Sequence, residues 1–182
     1  MKFLKDIKRY TDYSGKPAVL MLLTQQGLWA LFHYRFFNKI YTSRLPKILK
    51  WPLLSIGVLK LKGIEVLTGI TIPYSATIGE GFYIGHHSGI IINANVVIGK
   101  NCNISQGVTI GVSGRRDKRG TPVIGDQVYI GANATVAGKI KIGDKAVIGA
   151  NSLVVKDVVA GTTVVGVPAI KISDNNSADY IL

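Results

Sequence analysis

At 182 residues, 47% of them hydrophobic and 18% charged, the chain is long enough for one domain with a sizeable core and too apolar to be disordered. Its single cysteine, Cys102, excludes a disulfide framework and a thiolate zinc site. The formal charge of +12 is carried mostly by residues 1–63, with 12 Lys/Arg against 2 Asp/Glu, and no nucleic-acid-binding motif accompanies it, so nucleic acid is not the expected partner.

Residues 1–14 read as a charged stretch with neither an apolar run nor a cleavage site, so no signal peptide is expected. Pro17 suits a first helical turn, and Leu20, Leu23, Trp29, Phe32, Phe36 and Ile40 follow as an irregular helical stripe. A second helical stretch is predicted from Leu45 to Leu61, interrupted by Pro52. Neither is read as a transmembrane helix: Gln25, Gln26 and Gly27 break the first apolar run, and Trp51–Leu59 is too short to span a bilayer. The two stretches also carry Arg35, Lys39, Arg44, Lys47 and Lys50. Their apolar faces are expected to pack on the rest of the protein or on a neighbouring subunit, with a membrane surface of anionic lipid as the alternative. Residues 1–63 thus form a short, basic, helical N-terminal segment.

From residue 64 to residue 172 the period changes to six. One register contains Val66, Ile72, Ile78, Ile84 and Ile90; it slips by two and continues as Ile92, Ile98, Ile104 and Ile110. After a longer insertion it resumes as Ile124, Ile130, Val136, Ile142, Ile148 and Val154. A six-residue period belongs to neither a simple strand nor a helix, and marks a solenoid. Each hexapeptide supplies one short strand and a turn, and three make a triangular coil of about eighteen residues. Residues added at the slips must bulge outward. Cys102 falls on an inward position, where a small buried side chain is expected rather than a nucleophile. The polar tail, residues 173–182, carries no functional signal.

This repeat resembles that of the hexapeptide-repeat acyltransferases. The resemblance implies an all-β solenoid, a left-handed parallel β-helix, behind the helical segment. Gly81–Asn93, which holds two of the three histidines, is similar to the catalytic segment of serine acetyltransferases and of the related capsule and colanic-acid acetyltransferases. The spacing to Gly111, the loop from Gly111 to Pro122 and the closing run Val164–Ala169 fit the same pattern. The resemblance further implies acetyl-CoA as acyl donor, no metal, and a homotrimer with its sites at subunit boundaries. On the same resemblance His86 is the general base, and the Gly111 N–H holds the oxyanion. The Ala132 backbone meets the pantetheine arm of CoA, and Lys171 its nucleotide end. His87, Arg115, Arg116 and Thr121 are expected at the substrate, and Arg115, Arg116, Lys118 and Arg119 of the loop are expected to meet either CoA phosphates or an acidic acceptor. The chemistry is economical: a neutral imidazole takes the proton of a weakly nucleophilic hydroxyl as that oxygen attacks the thioester, and backbone N–H groups hold the oxyanion. His33, in the helical segment, is expected to be structural.

Two departures bear on the acceptor. Gly85 stands where serine acetyltransferases carry an aspartate, and Thr121 where they carry a histidine. Both missing groups serve the amino-acid substrate, and unpaired polar groups in a closed site cost affinity. The stretch Phe32–Asn38 also looks like the polysaccharide branch. The expected reaction is therefore O-acetylation of a sugar in capsule or exopolysaccharide biosynthesis, in the cytoplasm at the inner face of the membrane. Serine O-acetylation in cysteine biosynthesis, or another small-molecule acyl transfer, is the alternative. A γ-type carbonic anhydrase needs three histidine ligands, and only His86 and His87 lie near the coil. A non-catalytic solenoid would predict loss of the His86 segment.

Overall fold

The computed structural model describes residues 2–181, beginning with four helices: α1 (Lys2–Ser14), α2 (Ala18–Thr24), α3 (Gln26–Thr42) and α4 (Lys47–Thr68). The charged first stretch is a helix whose buried residues are Asp6, Arg9 and Tyr10, with Phe3 and Ile7 partly buried against the core on the same side. Pro17 opens α2, and extended backbone at Gln25 splits the predicted stripe into α2 and α3. Helix α4 follows Pro46, contains Pro52, and ends where Gly69 turns left-handed at φ 65°. It therefore runs through the change of composition near Gly63. Val66, read from the repeat as an inward coil position, lies on this helix and is 86% exposed. An aliphatic residue six places before another fits either element, and here the helix takes it.

The rest of the chain winds round a triangular prism of three parallel sheets. Sheet one is β1 (Ile70–Thr71), β4 (Ile90–Ile92), β7 (Thr109–Gly111), β10 (Thr135–Ala137) and β13 (Leu153–Val154). Sheet two is β2 (Thr77–Ile78), β5 (Val97–Ile98), β8 (Val123–Ile124) and β11 (Lys141–Ile142). Sheet three is β3 (Tyr83–Ile84), β6 (Asn103–Ile104), β9 (Tyr129–Ile130), β12 (Val147–Ile148) and β14 (Thr163–Gly166), closed by the antiparallel β15 (Ala169–Ser173). The aliphatic positions from Ile72 to Val154 point inward and form one buried axial core. Register locates the two slips. Ile70 pairs with Ile90, twenty places on, whereas Ile91 pairs with Thr109, eighteen on. Val97 pairs with Val123, twenty-six on. The first slip lies at the corner from sheet three to sheet one, in the turn that carries His86. The second lies at the corner from sheet one to sheet two, in residues 112–121.

A solenoid has two open ends, each a row of unpaired backbone groups that must be satisfied. At the amino end the helices do this with side chains. Tyr10 Oη donates to Ile84 O and accepts from Ile84 N–H, both at 3.1 Å. Tyr34 Oη donates to Ala76 O at 2.8 Å and accepts from Ile78 N–H at 3.0 Å. Arg35 forms a bidentate pair with Asp6 at 2.7 and 3.0 Å and also donates to Ile78 O and Gly79 O; Asp6 in turn accepts Phe82 N–H. The helices come this close because residue 27 is glycine: a Cβ there would stand 2.4 Å from Tyr10 Oη and 3.0 Å from Ile84 Cβ. The tail packs back along the coil. Ser177 N–H donates to Lys145 O and its hydroxyl to Gln127 O, Tyr180 stacks on Tyr129, and Tyr180 O accepts from Tyr13 and Asn103.

Candidate active site

His86 and His87 lie on the turn between β3 and β4, and both are exposed. The turn is built under constraint. Ser88 has φ 88°, a conformation rare for any residue but glycine. It is held from both sides: Ser88 N–H donates to Thr68 O at the end of α4, and Ser88 O accepts from Gly107 N–H in the next coil, each at 3.0 Å. Ile90 N–H donates to Gly69 O at 3.0 Å. A Cβ on Gly69 would lie 2.9 Å from Ser88 Cα, so only glycine lets α4 end beneath this turn. On the upstream side, Tyr10 clamps Ile84, two residues before His86. The last turn of α4, helix α1 and the next coil thus hold the segment bearing the two histidines.

Ala132 shares this corner. Asn133 N–H donates to Gln106 O at 2.9 Å and Asn151 N–H to Ala132 O at 2.8 Å, which places Ala132 two coils above the His86 turn on the same edge. Lys171 lies beyond, on β15 at the end of sheet three, with its ammonium on Asp174.

The other expected residues occupy a different corner. Gly111 ends β7. The loop after it closes on itself through Ser113 N–H to Gly120 O at 3.1 Å and Gly120 N–H to Ser113 O at 3.0 Å. Arg115, Arg116, Lys118 and Arg119 are all exposed on it. Thr121 Oγ1 donates to Asn95 O at 3.0 Å. Lys139, which no motif marks, packs against Gly120 at the base of the loop and adds a further cation. Within one chain the structure gathers His86, His87 and Ala132 on one edge and Gly111, Arg115, Arg116 and Thr121 on another. Sheet one separates the two sets.

Cys102 is fully buried with its thiol 3.2 Å from Gly125 O, and burial pushes that thiol up to about 12, out of the nucleophilic range. His33 is buried between α3 and α4 with Nε2 3.0 Å from Gly57 O, and burial holds it below the usual imidazole range. Sequence reasoning missed the residues that brace the site, Asp6, Tyr10 and Arg35. The available signal was Phe3, Ile7 and Tyr10 at helical spacing, which marks the face that carries Asp6.

Residues 121–156 match the bacterial transferase hexapeptide family, a model of six repeats. The chain is 41% identical over 157 residues to serine acetyltransferase of Synechocystis, covering 86% of this chain and 60% of that protein. It is 34% identical over 164 residues to serine acetyltransferase of Bacillus pumilus, covering 90% of this chain and 72% of that one. Its fold is similar to Neisseria gonorrhoeae serine acetyltransferase in complex with serine, with TM-score 0.81, 32% identity, and coverage of 94% of this chain and 68% of that one. A serine acetyltransferase in complex with CoA gives TM-score 0.80, 29% identity, and coverage of 94% and 68%. The chain spans about three fifths of the length of the cyanobacterial relatives.

These likenesses overturn the sugar acceptor expected from the sequence, and with it the capsule or exopolysaccharide assignment. That expectation rested on Gly85 and Thr121, on the cost of unpaired groups in a closed site, and on the look of the Phe32–Asn38 stretch. In the structure residues 86–89 are exposed, and a Cβ on Gly85 would meet nothing nearer than Tyr83 Cε1 at 3.5 Å. Gly85 and Thr121 stand on separate corners of one chain, so these two departures make a weak case by themselves. Likeness sustained over 164 residues outweighs it, and the chain belongs to the serine acetyltransferase family of hexapeptide-repeat transferases.

Proposed function

We propose that the chain is a serine O-acetyltransferase, moving the acetyl group of acetyl-CoA to the hydroxyl of L-serine. The observation that carries this reading is its likeness, over 86% of its length, to serine acetyltransferases, one solved with serine and another with CoA. The coil is then the family's left-handed β-helix. Neutral His86 takes the proton of the serine hydroxyl as that oxygen forms a bond to the thioester carbonyl carbon. The tetrahedral intermediate expels the CoA sulfur, which recovers a proton from the imidazolium, leaving O-acetylserine and free CoA. CoA lies along the His86 edge, past the Ala132 backbone, with Lys171 exchanging Asp174 for an anion at its far end.

The separation of the two corners gives this reading its assembly. Gly111 as oxyanion donor, with Arg115, Arg116 and Thr121 as substrate contacts, reaches His86 and His87 only if one copy's loop corner faces another copy's histidine corner. Such a head-to-tail contact forms a ring where its rotation closes, and the homotrimer with three equivalent sites is what the family likeness implies. The test is thiol release from acetyl-CoA by purified protein given L-serine. Serine-dependent release that falls at least about 100-fold in His86→Ala supports the reading. Absence of release with serine, or release untouched by His86→Ala, overturns it.

A further inference from the structure

Helix α4 is attached to the molecule along one narrow line. Of its 22 residues only Leu54, Gly57, Leu61 and Thr68 are buried, spaced three, four and seven apart on the side facing α3. The opposite line carries Ile48, Leu59 and Val66, which are 81%, 74% and 86% exposed, with Leu49, Ile56 and Leu67 beside it. A monomer seldom leaves so long an aliphatic stripe to water. The apolar surface continues off the helix. A groove of about 710 Å³ runs between α2, α3 and α4, lined by Leu22, Trp29, Phe32, Phe36, Leu67 and Lys60 among others. A second, of about 670 Å³, shares Phe32 and Phe36 with it and reaches Lys2 and Lys39. No carboxylate lines either groove.

Charge bears on what could cover this face. Lys60 and Lys62 fall on opposite flanks of the Ile48–Leu59–Val66 line, where long stems can follow an apolar surface while the ammonium groups reach outward. Glu65, the sole acid of α4, lies away from the line, half-buried and paired with Lys62 at 2.7 Å. Residues 1–63 carry ten net positive charges. A second copy docked face to face would set these cations against their like, whereas an anionic surface complements them. Among the described residues no helix is long and apolar enough to cross a membrane. We infer that the α4 face and the Phe32–Phe36 grooves dock on a bilayer rich in anionic phospholipid, the aliphatic line entering the headgroup boundary and the flanking lysines meeting phosphates. Because α4 ends beneath the Ser88 turn, this would place the His86 edge close to the membrane. The inference is independent of the acceptor.

The experiment is co-sedimentation of the full chain with vesicles of phosphatidylcholine alone and of phosphatidylcholine with about 40% phosphatidylglycerol. The expected result is at least about tenfold greater binding to the anionic vesicles, largely reversed by about 0.5 M salt. Two variants keep the packed side of α4 intact. Ile48→Ser/Leu59→Ser/Val66→Ser should abolish binding with helical content unchanged, and Lys60→Glu/Lys62→Glu should weaken it about tenfold or more. Protein left in the supernatant with both vesicles, or equal binding to both, overturns the inference. So does a larger assembly in sedimentation velocity that the triple serine variant dissolves without any vesicle binding, which would assign the face to a second copy.

Discussion

The two ends of the coil solve one problem by opposite means. At the amino end the edges of β2 and β3 are met largely by side chains from separate helices, with Tyr10, Tyr34, Asp6 and Arg35 each addressing particular backbone groups. At the carboxyl end sheet three is closed by main chain, as β15 folds back antiparallel on β14, with exposed side chains along most of its length. A side-chain cap specifies position residue by residue, whereas a backbone cap tolerates almost any sequence. The specified end is the one beneath the His86 turn.

The largest difference should come from the buried ion pair. Burial lifts the Asp6 carboxyl above its ordinary range despite Arg35, so the pair gains little net stability and serves mainly to fix which groups α1 and α3 meet. Asp6→Ala leaves Arg35, 8% exposed, with no carboxylate and frees Phe82 N–H. A loss of about 3–5 kcal/mol in urea denaturation is expected. Asp174→Ala, which breaks the exposed pair with Lys171 at the carboxyl end, should cost less than about 0.5 kcal/mol. Similar losses at the two ends would dissolve the contrast.

Tyr10→Phe tests whether the amino cap positions as well as stabilises. The hydroxyl serves both backbone groups of Ile84, and its loss should cost about 1–3 kcal/mol. Ser177→Ala at the far side removes a hydroxyl bonded to Gln127 O and should cost about 1 kcal/mol. Only the Tyr10 variant should lower kcat, by about tenfold, with the KM for acetyl-CoA and the pH profile unchanged, when both variants are assayed fully folded. Equal kcat in the two would reduce Tyr10 to a structural residue.

The same contrast decides how much was legible in the sequence. The coil is written in repeated inward aliphatics, one every six residues, and both slips fall where the register bends. Every hexapeptide repeats the same burial, so each reports on its neighbours. The amino cap has no such redundancy. Its capping groups are Asp6, Arg9, Tyr10, Tyr34 and Arg35, residue types that usually signal solvent, and the coil backbone groups they meet lie more than forty residues away. Val66 shows the converse error, an aliphatic residue in phase with the coil that is exposed on a helix. The candidate site was legible as a segment, through His86 and the loop, but not as an assembly. The six-residue period carries no information about which corner of the prism a residue occupies relative to a second chain. The acceptor was misread for a related reason: Gly85 and Thr121 were weighed as one site, although within one chain they lie on different corners of the prism.

The smallest expected effect concerns the line holding α4 to α3. His33 Nε2–H donates to Gly57 O at 3.0 Å, and buried Nδ1 has no partner among the described residues. Burial, which outweighs the bond to Gly57, depresses the imidazole below 6.5, with nearby Lys60 acting in the same direction. The sign depends on which state holds more protons. Below 6.5 the unfolded chain protonates this histidine while the folded chain does not, so its contribution is complete above that value and is lost as pH falls through the folded one. Protonation would add a buried N–H at Nδ1 with no acceptor. In His33→Gln the donor to Gly57 O can be kept and the titration is removed. The wild-type chain should therefore lose more stability than the variant as pH falls from about 7.5 to about 5.5. Asp6 has the opposite sign, its raised carboxyl favouring the folded state toward acid, but it is common to both proteins and cancels in their difference. Parallel stability curves would mean that α4 is held by Leu54 and Leu61 alone, and that the amino end is no more sensitive to pH than the carboxyl end.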